Sequence, residues 1–152
     1  ATYVVGNLSE LSGVKNDAAD REPRLREFCK RFVERAFRRP LTDEQRQLYI
    51  DHQFTEASDP TAAVKRIVLL TLKSPRFLFR EVGEGSDGYD VASRMAFGLW
   101  DSLPDKALLD AAAKGQLANR EQIVSQAERI LNDARSRSKQ RDFLLTWLKV
   151  DH

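Results

Sequence analysis

The sequence predicts an all-α protein, a multi-helix bundle of about seven helices in two packed subdomains, on three observations. Apolar residues recur at spacings of three and four along most of the chain, the period of a helix with one buried stripe. Helix-starting residues stand ahead of those stripes, at Thr42, Asp59, Ser74, Ser102 and Asn119. Strand-forming residues gather only in "TYVV", residues 2–5, with no second run to pair with.

That lone run assigns residues 1–19 to an extended N-terminal tail belonging to a preceding domain. The first subdomain, residues 20–82, opens near Asp20 and Pro23 with a helix whose stripe is Leu25, Phe28, Cys29, Phe32, Val33, Ala36 and Phe37. It stops at Arg39, because Pro40 disfavours the α region for the residue before it. Thr42 and Gln45 form a capping box for the next helix, with Asp43 and Glu44 at the positive end of its dipole. Asp59 caps a third helix with Pro60 at its first position, and Ala63, Val64, Ile67, Val68, Leu70 and Leu72 make it the most apolar of the chain. Ser74 and Pro75 repeat that signal for a short turn on which Phe77, Leu78 and Phe79 anchor to the helices before it.

"GEGSDG" closes this half, and residues 83–87 read as a linker. The second subdomain, residues 88–152, begins with a helix to Trp100, capped by Ser86 or Asp87, on which Ala92, Ala96, Leu99 and Trp100 share a face. Ser102 then caps the next helix, with Pro104 in its first turn and Asp105 in the box position. Gly115 ends that helix in a left-handed conformation, and Leu117 folds back on it. Asn119 and Gln122 box a further helix that buries Ile123, Ala127, Ile130 and Leu131. The last, from about Ser138, buries Phe143, Leu144, Trp147 and Leu148.

A chain of 152 residues can bury roughly two thirds of its unfolded surface and stand on a core without staples. No window approaches the ~18 apolar residues of a membrane span. Net charge is +2, too small to argue for polyanion binding by the whole chain, although residues 21–39 hold eight Arg or Lys against three Glu. These lie between apolar positions with no aromatic stacking platform, so the segment reads as a solvated face, with nucleic-acid or anionic-surface binding as the alternative. The single Cys29 lies on an apolar stripe and reads as a small buried hydrophobe. The start "ATYVVGN" and the end "WLKVDH" read as the bounds of a piece of a larger protein, truncated at its C-terminus.

Groups able to carry chemistry are sparse. His52 and His152 lie far apart, and there is no C-x-x-C-H, no H-E-x-x-H, no Cys pair, no G-x-S-x-G elbow and no P-loop. His52 reads as an ordinary helix residue, and an axial haem role for His52 or Met95 is a remote alternative. Glu81, Glu84, Asp87 and Asp90 offer hard oxygen ligands for calcium, but Gly83 and Gly85 stand where that loop needs carboxylates, so an acidic linker is the preferred reading. Catalytic, cofactor and metal residues are assigned to none. The candidate interaction or structural corner is Arg94 with Trp100, Asp101 and Asp105. An Arg inside "ASRMAFGLW" is expected to be buried and paired with Asp90, Asp101 or Asp105, or else to face an anion in a cleft.

"FVERAFRRPLTDEQ", "LLTLKSPRFLFRE", "ASRMAFGLWDSLPDKALLDAAAKGQL" and "ILNDARSRSKQRDFLLTWLKVD" together resemble consecutive helical domains of unknown function from large exported planctomycete-type proteins, in which a c-type cytochrome module commonly precedes them. The resemblance covers about residues 28–152. It implies an exported, periplasmic or cell-envelope location, a multidomain parent whose other domains are the partners, and a haem carried by another segment rather than by this one. The expected function is a non-catalytic helical scaffold or interaction module. The alternative is one wall of an active site in a cytochrome-linked oxidoreductase completed elsewhere.

Overall fold

The computed structural model describes residues 2–15, 17–79 and 87–150. Every regular element among them is helical, so the protein is all-α. The chain divides into two compact units, Ala1–Val82 and Gly83–His152, each with its own core.

In the first unit, "TYVV" is not extended. Residues Thr2–Gly6 form helix α1 and Leu8–Ser12 form α2, which ends at Gly13 in the left-handed region, φ 68°. Leu8 and Val14 are buried in the unit's core, which corrects the reading of residues 1–19 as an extended tail. β propensity over four residues yields when a tertiary surface takes the same side chains on a helical face. Helix α3, Arg21–Phe37, and helix α6, Pro60–Lys73, are the central pair. They interlock Leu25, Cys29, Val33 and Phe37 with Ala63, Val64, Ile67 and Val68.

Between them runs a helix in three parts: α4, Asp43–Arg46; a π-helical turn, Gln47–Asp51; and α5, His52–Glu56. The Thr42–Gln45 capping box starts it, and Ile50 and Phe54 are its core contributions. Asp59 accepts from the N–H groups of Thr61 and Ala62 at the head of α6. Helix α7, Pro75–Leu78, is capped by Ser74. Leu70 and Leu72 of α6 are exposed, and Thr71 is buried in their place with its hydroxyl donated to Ile67 O at 2.7 Å. The stripe of α6 is narrower than its composition implies because only one side of it meets α3 and α5.

In the second unit, helix α8, Gly88–Trp100, is central. Helices α9, Lys106–Ala113, α10, Arg120–Leu131, and α11, Ala134–Leu148, pack on it or on one another. Its core is Ala92, Met95, Ala96, Trp100, Leu108, Ala111, Ala112, Leu117 and Ile130. Gly88 matters here: a Cβ at that position would sit 3.2 Å from Ala112 O, so the missing side chain lets α8 press onto α9. Gly115, φ 67°, and Leu117, buried, close α9 through Gly115 N–H to Ala112 O and Gln116 N–H to Ala111 O.

The start of α9 differs from expectation. Its N-cap is Asp105, whose Oδ1 accepts from Leu108 N–H at 2.9 Å, and Ser102 and Pro104 lie before the helix. A helix capped at Ser102 would place Leu103 in the α region directly before a proline, the conformation that proline disfavours. Likewise α11 starts behind Asp133, not near Ser138. No helix among the described residues is long and apolar enough to cross a membrane.

Candidate functional site

Helix α8 ends on Trp100, which is 3% exposed, and Asp101 caps it in the left-handed region, φ 54°. The chain then turns over buried Pro104 and starts α9 at Asp105. Two arginines from later helices close this corner. Arg129 of α10 grips Asp105 with both ends of its fork, Nη1 to Oδ2 at 2.8 Å and Nη2 to Oδ1 at 3.2 Å. Arg135 of α11 lies over the Trp100 ring, 3.9 Å from its centroid, while Arg129 stands 5.9 Å from it. Arg135 is itself held by Asp133, through Nε and Nη2 at 2.9 Å each, and Lys139 pairs with Asp101 at 3.2 Å.

The electrostatics follow from that pairing. Burial alone would raise the Asp105 carboxyl, but the Arg129 hydrogen bonds, the Leu108 N–H and the charges of Arg129 and Arg135 outweigh it and leave it below the ordinary carboxylate range. Asp133 is held at about 2, first by the Arg135 side chain and then by the Arg135 N–H. Arg135 is raised in turn, chiefly by Asp133. The pairing favours the ionised forms of Asp105, Asp133 and Arg135, an arrangement that fixes helices. The Trp100 indole N–H is buried without a hydrogen-bond partner among the described residues.

Of the four residues singled out for this corner, Trp100, Asp101 and Asp105 stand together there. Arg94 does not occupy the buried position expected of it. It is exposed on α8, because Ala92, Ala96 and Trp100 define the buried stripe at spacings of four and Arg94 falls on the opposite side of the turn. The bridging role belongs to Arg129, twenty-four residues beyond Asp105 in sequence, a separation that leaves no local signal.

The larger departure is in α11. Phe143, Leu144, Trp147 and Leu148, expected to be buried, are 62%, 47%, 68% and 59% exposed. The Phe143 and Trp147 rings stack at 6.3 Å with 10° between their planes, forming an apolar ledge on the free half of the helix. Ser136 is the buried residue of α11, so the helix is seated by its first turn and presents its last two.

A joint of similar logic lies in the first unit, between segments about forty residues apart, where no local pattern marks it. Arg38, the left-handed C-cap of α3 at φ 61°, is 5% exposed. Its guanidinium donates to Arg76 O and Phe79 O at 2.8 Å each, to Ala36 O at 3.1 Å and to Phe77 O at 3.4 Å. It therefore joins the "RRPLT" and "SPRFLF" segments into one structure. Phe77 is partly buried against the core, whereas Leu78 and Phe79 are exposed and do not anchor this half through their side chains.

His52 is exposed on α5 and Met95 is buried in the second core. Asp87 and Asp90 form the capping box of α8, while Glu81, Glu84 and His152 lie outside the described residues. Among the described residues no group of three or more His, Cys, Asp or Glu is placed to hold a metal ion.

Two family matches divide the chain in the same order as its units. Residues 24–81 match the family described as PSD5, protein of unknown function (DUF1595), and residues 87–152 match PSD4, protein of unknown function (DUF1592). No curated protein and no solved structure matches the chain.

Proposed function

We propose that this chain is a non-catalytic helical interaction module within a larger exported, cytochrome-associated protein, with its partners among the other domains of that protein. The observation that supports the reading is the α11 ledge: four large apolar side chains in two turns, carried on a helix whose first turn is seated beside a fully ion-paired corner. Exposed apolar surface of this kind marks a contact, because leaving it in water costs free energy on the order of 25 cal/mol per Å². The export and cytochrome parts of the reading rest on the sequence resemblance.

The contact is tested by hydrogen exchange on residues 140–150 in the 152-residue chain and in the parent protein containing it. Strong added protection in the parent is the expected result, and identical exchange in both sinks the reading. The cytochrome association is tested by the visible spectrum of the purified parent, where the absence of a c-type haem band removes that part alone.

A further inference from the structure

We infer that the α11 ledge takes an amphipathic helix with an apolar seam flanked by carboxylates. The inference rests on the interaction reading above and adds the chemistry of the occupant. Phe143 and Trp147 stand one turn apart, and Leu144 and Leu148 form the parallel row beside them. Two such i, i+4 rows make the ridge and groove into which the side chains of a second helix interdigitate. The stacked Phe143 and Trp147 rings supply a rigid aromatic anchor that loses little conformational entropy on docking.

The charges choose the partner. Arg135 and Lys139, near the seated end, already have Asp133 and Asp101. Arg137 stands between those two cations, and Arg141 and Lys149 bracket the ledge in sequence; all three are exposed, and their side chains have no ion pair or hydrogen bond among the described residues. Asp142 is the one acid between Ala134 and Leu148. A carboxylate-bearing helix would pair with these cations, and a second copy of α11 would set them against their own kind. A lipid surface fits less well, because Asp142 lies within the ledge segment and the segment from Gln140 to Val150 carries only Arg141 and Lys149 against it.

The test uses the 152-residue chain and two synthetic 18-residue helical peptides sharing one Leu/Ala seam, one flanked by Glu and the other by Lys. Trp147 emission and peptide anisotropy report binding, with Trp100, buried, as the internal background. The Glu peptide is expected to bind at least ten-fold tighter than the Lys peptide. Phe143→Ala/Trp147→Ala should abolish binding, and Arg137→Glu/Arg141→Glu/Lys149→Glu should invert the preference while the circular dichroism stays helical. Equal binding of both peptides overturns the carboxylate inference and leaves the interaction reading standing. Self-association that excludes both peptides, or a Trp147 blue shift seen only with phosphatidylglycerol vesicles, overturns the helical occupant.

Discussion

Arg135 lies over the Trp100 ring, its guanidinium carbon 3.9 Å from the ring centroid, and so couples the first turn of α11 to the last residue of α8. With Arg129 on Asp105, this contact makes one joint from four helices of the second unit. The joint is built from surface-type interactions around one buried aromatic ring, and its energetics can be separated by substitution.

Asp105 does two things there, capping α9 and receiving Arg129. Asp105→Ala should cost about 1–2 kcal/mol, of which about 1 is the lost cap and the rest the ion pair. Asp105→Asn keeps a cap acceptor and should cost under about 1 kcal/mol. A double-mutant cycle with Arg129→Met, read by urea denaturation, should return a coupling of about 0.5–1 kcal/mol.

Trp100→Ala should destabilise by about 3–5 kcal/mol through the cavity it leaves. Trp100→Phe should cost much less, about 1 kcal/mol, because it also deletes the buried indole N–H that has no partner. If the two variants have the same urea midpoint, the ring's size is not what the corner depends on.

Acid should loosen this unit in a defined window. Asp105 and Asp133 are both depressed in the folded state, Asp133 to about 2, so the stability they contribute is complete above the unfolded carboxylate value near 4 and is lost as pH falls toward 2. Urea midpoints should be level from pH 7 to about 5 and fall between about 4 and 2. In Asp133→Asn that fall should be shallower, and an unchanged slope would remove Asp133 from the account.

Arg38→Ala should destabilise the first unit by about 2–3 kcal/mol, the range for losing hydrogen bonds from a charged donor to buried acceptors. Arg38→Lys should recover little, since one ammonium cannot span the carbonyls of Ala36, Arg76, Phe77 and Phe79. Thermal unfolding of both variants reads this directly.

Burial pushes the Cys29 thiol up to about 12, so it stays protonated in the folded chain through ordinary alkaline pH. Alkylation by iodoacetamide at pH 8 should proceed only at the rate of unfolding and become fast in urea. The stability tied to this thiol is intact below its unfolded value of 9.0 and erodes as pH rises from there toward 12.

The sequence by itself determined where helices begin and end and which side of most of them is apolar. The boxes at Thr42 and Asn119, the cap and proline at Asp59 and Pro60, and the left-handed stop at Gly115 are all local, settled within a few residues of backbone by hydrogen bonds the chain makes with its neighbours. Ser102 misled because a proline two residues on outweighed a good cap residue. Only the tertiary structure decided that "TYVV" is helical, that Arg38 is buried against carbonyls about forty residues away, and that Arg129, not Arg94, holds Asp105. It alone decided, too, that the apolar side of α11 is open. Periodicity says which face of a helix is apolar, but whether anything covers that face depends on residues far away in the chain or on another molecule, and no local pattern carries that information.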